Sequence, residues 1–278
     1  MANVTKQAKI MMIVRYVVVV LGAAISLFPI FVMISTSFKI RTDAFSIPPK
    51  WFFVPTLQNY AHVLFSQNFM RYFVNSIVIG LAATLFSVVL GALAAYALAR
   101  FRFMGKGVVI MSTLLLRMVA PVILVIPIFI LWNQIGLING RFGLILTYVA
   151  LNLSFNIWVL RTFILEIPIE LEEAALIDGC GEFTIFFKII MPLIAPGIAV
   201  ASIFTFRIAW NEFILSLVLT NRYTRTLPVA VSLYLTDHGI EWGQITAIAT
   251  IIAIPAFIFT FTAAKSLIMG LTAGAVKG

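Results

Sequence analysis

Six stretches of this chain, roughly residues 11–34, 72–98, 108–132, 143–163, 194–219 and 244–268, are long and almost wholly apolar. A run of about 20 such residues at 1.5 Å each spans the ~30 Å hydrocarbon core of a bilayer as an α-helix. None of the six alternates with period 2, which excludes the strands of a membrane barrel. Composition agrees: 10% of residues are charged and 62% hydrophobic, whereas a soluble domain carries roughly 25% charged residues. A soluble enzyme, a nucleic-acid-binding domain and a disordered chain are therefore excluded. The net charge of +9 does not point to nucleic acid, because the basic residues are scattered over the whole length. In so apolar a chain they mark loops beside the lipid bilayer. The one cysteine, Cys180, permits neither an internal disulfide nor a Cys-based metal site. The expected fold class is an all-α integral membrane protein with six transmembrane helices.

The first apolar run follows Lys6 and Lys9 but is longer than a signal-peptide core and lacks a small-residue cleavage pattern before Phe28-Pro29. It reads as a retained span, with Arg15 snorkelling to the headgroups. An internal N-terminus places Lys6, Lys9, Arg15, Arg100, Arg102, Lys106, Arg161, Lys188, Lys265 and Lys277 on the cytoplasmic side. Lys39, Arg41, Lys50, Arg71, Arg141, Arg222 and Arg225 then lie outside. The excess is small, but the short basic turn from Arg100 to Lys106 is a strong local signal. Both termini are then cytoplasmic. Residues 1–278 read as one membrane domain, without repeats, whose extramembrane pieces of about 36, 30 and 24 residues are too short for a catalytic domain. His62 and His238 fall in external loops without ligand-spaced partners.

The loop of residues 164–193, between spans four and five, differs from the rest. Six of the ten acidic residues fall between positions 166 and 182. Pro168 is placed to open a helix whose glutamates complement the positive end of its dipole, and Gly179 suits the left-handed residue that stops it. Phe183, Phe186, Phe187 and Ile190 then follow helical spacing as an apolar stripe, and Pro192 is expected to end that second helix. The residues alone leave two readings open: an interfacial hairpin that only connects two spans, or a docking element whose small Ala174-Ala175 patch fits a partner's groove.

Ionisable residues at bilayer depth usually face a cavity or a partner. Arg117 in span three and Arg207 and Glu212 in span five are in that position. Arg207 and Glu212 lie about 140° apart around a helix, so they do not pair with each other. Arg207 is expected to share a face with Phe204, Trp210, Asn211 and Ile214. Rings beside amide and guanidinium donors suit a sugar, and the same groups suit buried hydrogen bonds to a second subunit. Asn152 and Asn156, one helical turn apart in span four, either line a path or bond between helices.

Glu173-Ala174-Ala175, three residues, Gly179, nine residues, then Ile189-Ile190-Met191-Pro192 resembles the EAA signature of ABC-importer permease subunits. Met191 stands where that pattern has Leu, an apolar change of similar volume. Ala95-Tyr96-Ala97-Leu98-Ala99-Arg100, Gly143-Leu144-Ile145-Leu146-Thr147-Tyr148, Trp210-Asn211-Glu212-Phe213 and Thr226-Leu227-Pro228-Val229 likewise resemble carbohydrate-importer permeases, most of all the smaller six-span partner of the maltose-type transporters. The likeness runs from about residue 71 onward. It implies a bacterial or archaeal plasma (inner) membrane, a second related permease subunit, an ATPase dimer on the cytoplasmic side and an extracytoplasmic sugar-binding protein. It also implies alternating access driven through a coupling loop carrying Glu173, Ala174, Ala175, Asp178, Gly179, Phe183, Phe187 and Pro192. No phosphate-binding loop occurs in this chain, so ATP and Mg2+ belong to the partner ATPase and the chain itself needs no cofactor.

Two other functions compete with a sugar importer. The same importer type could carry a polyol, a glycerol-phosphate or an anionic sugar, with Arg117 or Arg207 supplying charge. An ion-coupled secondary transporter would need a mid-membrane carboxylate, for which Glu212 qualifies. An intramembrane enzyme is disfavoured by the lack of H-E-x-x-H, a spaced carboxylate pair or a nucleophile–base constellation in the spans.

Overall fold

The computed structural model describes residues 2–65, 68–232, 235–236 and 239–275. Side chains of residues 2–7, 235–236, 239, 260 and 262–275 are not described. Lys6, Lys265, Lys277 and His238 therefore lie outside the described side chains.

From the N-terminus, α1 (Ala2–Ser37) is followed by the short helices α2 (Arg41–Ala44) and α3 (Gln58–Leu64), then by the long α4 (Phe69–Arg100). A turn leads into α5 (Lys106–Met118), α6 (Pro121–Gln134) and α7 (Arg141–Leu165). Next come α8 (Glu170–Ile177), α9 (Glu182–Ile185), a π-helical turn over Phe186–Ile190, and α10 (Met191–Leu193). α11 (Ala195–Asn211), α12 (Ile214–Leu219) and α13 (Leu227–Ser232) lead to a two-stranded antiparallel ribbon, β1 (Leu235–Thr236) and β2 (Gly239–Ile240), with Leu235 opposite Ile240. The last element is α14 (Trp242–Ala275). Apart from the ribbon, the architecture is helical, as the apolar runs require.

Among the described residues, α1, α4, α7 and α14 are long and apolar enough to cross a membrane, and two bent helix pairs bring the number to as many as six. The bends fall within the third apolar run and at the start of the fifth. Between α5 and α6 the chain turns by 101°. Pro121 opens α6, and its ring keeps the preceding Ala120 out of the helical region, at φ −67° and ψ 131°. The chain turns by 76° where Glu182–Leu193 meets α11, at the start of the fifth run. It breaks again at Glu212, which is extended at φ −71° and ψ 129°.

The chain divides into two compact units, Met1–Gln67 with Leu233–Ala253, and Asn68–Ser232 with Ile254–Gly278. In the first, Asn59 Nδ2 donates to the carbonyls of Ser37 and Lys39 at 2.9 and 2.8 Å, tying α3 to the end of α1. Arg41 pairs with Glu241 at 3.3 Å. The most apolar stretch of α1 buries none of its residues, which suits a helix surrounded by lipid or by another subunit.

In the second unit α4 packs along α7, with α11 against both. The buried face of α4 is built of Ser76, Gly80, Ala83, Ser87, Gly91 and Ala95, three or four residues apart. Small side chains at that spacing let membrane helices approach closely, where dispersion and interhelical hydrogen bonds can act. A Cβ at Gly91 would lie 2.7 Å from Asn156 Cβ. That contact brings Asn156 Nδ2 within 2.7 Å of Ser87 Oγ, while Thr205 Oγ1 donates to Asn156 Oδ1 at 3.0 Å. One fully buried amide thus joins α4, α7 and α11. Asn152 is also buried and donates to the Tyr148 carbonyl at 2.8 Å. Asn156 thus bonds between helices, and Asn152 within its own.

Candidate functional site

The acidic stretch folds into a helical hairpin. α8 starts two residues after Pro168 and carries Glu170, Glu172 and Glu173 in its first turn, where carboxylates meet the positive end of the helix dipole. Its end is a Schellman turn: the Cys180 N–H donates to the Ala175 carbonyl at 2.9 Å and the Gly179 N–H to Leu176 at 3.0 Å. Gly179 adopts φ +82°, the left-handed conformation that such a turn assigns to glycine.

The second arm departs from expectation. Pro192 does not end it; the helical run continues to Leu193 and changes direction at Ile194. The π turn over Phe186–Ile190 shifts the hydrogen-bond register just before the proline, and Pro192 lies in the opening turn of α10. The expected stripe therefore splits. Phe186 and Ile190 are buried against Tyr96, Leu160 and Ile164, whereas Phe183 is 78% and Phe187 54% exposed.

A polar clamp missing from the expected site holds this hairpin to the membrane helices. Glu172 is buried and forms an ion pair with Arg100 at the end of α4. Tyr96 Oη donates to the other carboxylate oxygen at 2.8 Å, and Arg100 Nη2 donates to the Ile167 carbonyl at 2.8 Å. Tyr96 Oη and the Nε and Nη2 of Arg100 thus each have an acceptor, and both carboxylate oxygens a donor, the condition under which a buried charge pair is tolerated. The sequence marks Tyr96 only through the family likeness, Arg100 through that likeness and as the start of a basic turn, and Glu172 as one acid among six. The available signal was a basic residue ending one span and an acidic cluster following another, both on the same expected side of the membrane.

The opposite face of α8 points away from the protein. Leu171, Glu173, Ala174, Leu176, Ile177 and Asp178 are exposed, Ile177 at 86%. With Phe183 and Phe187 they make an apolar surface carrying carboxylates, held rigidly from behind by the clamp. Ala175 is buried among the clamp's neighbours, so the two alanines of the motif face opposite ways.

Nearer the middle of the unit, the Trp210-Asn211-Glu212 segment is a helix break. The Glu212 carboxylate accepts hydrogen bonds from the Leu215 and Ser216 N–H groups at 2.9 and 3.0 Å, and from Tyr148 Oη at 2.8 Å. It caps α12 and binds it to α7. Trp210 is almost wholly buried, stacked on Phe206 with centroids 5.5 Å apart and edge-on to Phe73 at 6.3 Å. It does not share the exposed face of Arg207, because three residues fall about 60° short of a full helical turn and that offset points Trp210 inward. Arg207 does lie over the Phe204 ring, 5.6 Å from its centroid, and its carbonyl accepts from Asn211 Nδ2 at 2.8 Å. Arg117, on α5, lies over Phe155 and Trp158 of α7 at 5.1 and 5.7 Å.

Replacing Glu212 with alanine leaves three donors without their acceptor, a loss of about 1–3 kcal/mol for each group that stays dry. The expected result is a lowered melting temperature of the purified protein, partly restored by Glu212→Gln. A stable Glu212→Ala protein with altered ion or pH dependence of transport would instead favour the ion-coupled carrier.

Residues 87–268, from within α4 through the hairpin and the helix break to α14, match the family described as binding-protein-dependent transport system inner membrane component. The chain belongs to this family. It is 41% identical over 226 residues to the trehalose transport system permease protein SugB of Mycobacterium tuberculosis (strain CDC 1551 / Oshkosh), covering 80% of this chain and 82% of that one. With the trehalose/maltose transport system permease protein MalG of Thermococcus litoralis it shares 36% identity over 263 residues, 93% and 94% of the two chains. A solved bacterial ABC transporter involved in the import of the acidic polysaccharide alginate contains a chain of the same fold, with a TM-score of 0.78 at 23% identity, covering 92% of this chain and 96% of that chain. As a family member the protein is an ABC-transporter permease of the inner membrane, a transporter subunit rather than an enzyme.

Proposed function

We propose that this permease is one of two related membrane subunits of an ATP-driven, binding-protein-dependent importer for a sugar or short oligosaccharide. The observation that carries the reading is the clamped hairpin. A surface element buried on one side by Arg100 and Tyr96, with apolar and acidic groups left bare on the other, is built to pass force from a docked partner into α4. The partner is an ATPase dimer that binds ATP and Mg2+, docking on Glu173, Ala174, Asp178, Phe183 and Phe187 from the cytoplasmic side, where both termini also lie. Gly179 aims the second arm, and Pro192 lies where that arm approaches α11. Closure of the ATPases around ATP moves the hairpin, and the attached helices turn the cavity toward an extracytoplasmic sugar-binding protein. ATP drives this cycle only by binding the outward-facing assembly better than the inward-facing one. The carbohydrate assignment is supported by the printed names of the trehalose and trehalose/maltose relatives.

The test is purification of the tagged permease from its native host, followed by uptake in vesicles. A second permease subunit and an ATPase are expected in the detergent extract. Sugar uptake is expected to require both ATP and the binding protein. A lone chain that transports down an ion gradient would overturn the importer reading.

A further inference from the structure

Arg117 on α5 and Arg207 on α11 cover rings that touch one another, whereas Arg71 and Arg222, the other arginines over a ring among the described residues of this unit, share Tyr223. Among the described residues the ion pairs engage Arg41, Lys50 and Arg100, and neither Arg117 nor Arg207 meets a carboxylate. Both guanidinium groups instead cover aromatic rings, Arg117 those of Phe155 and Trp158, and Arg207 that of Phe204. Phe155 and Phe204 are themselves in contact, with centroids 5.9 Å apart. Side chains from α5, α7 and α11 thus form one continuous face: two cations flanking three rings. It is open, since both arginines are exposed and Trp158 is 46% exposed.

Phe155 lies near the middle of α7, about 21 Å from Arg141 and about 15 Å from Leu165 at 1.5 Å per residue, on a helix long and apolar enough to cross a membrane. Two unpaired guanidinium groups at such depth are stable only beside a water-filled cavity or a polar partner. A ring beneath a guanidinium attracts the cation through its quadrupole but leaves the charge and the edge N–H donors unneutralised. What the face lacks is an anion that accepts hydrogen bonds in the guanidinium plane. What it offers besides is aromatic surface of the kind that covers the C–H face of a pyranose.

We propose that this face is a substrate subsite in the translocation path and that the substrate is an anionic saccharide, its acidic group held by Arg117 and Arg207 and its ring lying on Phe155, Trp158 and Phe204. The proposal rests on the importer reading above and names the cargo's chemical class. A carboxylate, sulfonate or phosphate would serve, because a guanidinium fork can bond each of them through two oxygens.

The complete complex, both permease subunits with the ATPase, is titrated calorimetrically with α-1,4-digalacturonic acid, with its neutral counterpart α-1,4-galactobiose, and with glucose 6-phosphate. At least one acidic probe is expected to bind at least about tenfold more tightly than galactobiose, the difference one charge-assisted hydrogen bond supplies. Arg117→Gln and Arg207→Gln are each expected to abolish that preference, and Arg207→Lys to retain part of it, while the complex elutes as one assembly. Equal binding of acidic and neutral probes, or no binding of either acid, overturns the proposal. So does separation of the permease subunits in either Gln variant, which would show the arginines pairing with carboxylates of the second permease. If no second permease or ATPase accompanies the chain, the importer reading fails. If both do and the acidic preference is absent, the anionic assignment fails alone.

Discussion

Replacing Glu172 with alanine is expected to cost roughly 3–5 kcal/mol, because it strands a guanidinium that the fold has already dehydrated. The side chains of Arg100 and Glu172 are only 11% and 8% exposed, so water cannot take over the lost contact. The purified complex should melt at a markedly lower temperature and lose its ATPase on washing. Removing both charges together, as Arg100→Leu with Glu172→Leu, should cost less than Glu172→Ala alone, since no charge is then left without a partner. Tyr96→Phe removes one hydrogen bond to the carboxylate, worth about 1.5–3 kcal/mol. Glu173→Ala, one residue along and exposed, should lose only about 0.2–1 kcal/mol, the range of a solvated ionic contact. Comparable losses for Glu172→Ala and Glu173→Ala would refute the clamp.

Gly179→Val should abolish transport with the permease still folded in the membrane. The position has φ +82°, and a β-branched residue there is strained by about 1–2 kcal/mol or more, since its Cβ crowds the neighbouring carbonyl. An added Cβ would meet no atom of this chain within 4 Å, so the fold itself has room and the damage falls on the turn. Relieving the strain means leaving the left-handed region, which breaks the Schellman bonds from Gly179 and Cys180 and re-aims the arm bearing Phe183 and Phe187. The readouts are sugar uptake and ATPase retention on washed membranes at matched permease levels. Gly179→Asn provides the control, since asparagine tolerates the left-handed conformation, and it should preserve much of both. Normal uptake by Gly179→Val would reduce the hairpin to a connector.

The parts of this protein legible in the sequence are those set by short stretches of chain. Hydropathy over about 20 residues decides whether a segment is a membrane helix, and α1, α4, α7 and α14 follow the apolar runs closely. The helix stop at Gly179 was equally readable, because a Schellman turn depends on one residue's φ and its immediate neighbours. What the tertiary structure decided is which side chains meet across long separations. Hydropathy treats Glu172 and Glu173 alike; the packing of α8 on α4 turns one toward Arg100, 72 residues away, and the other outward. The breaks at Ala120 and Glu212 are invisible to a window average, which scores an apolar run the same whether straight or bent. Pro121 marks the first locally, and at the second the Glu212 carboxylate bonds Tyr148 of α7, which no local stretch contains. Arg117 and Arg207 belong to different helices with no local reason to converge, and they share a face because α7 presents Phe155 and Trp158 between them, where Phe155 meets Phe204 of α11.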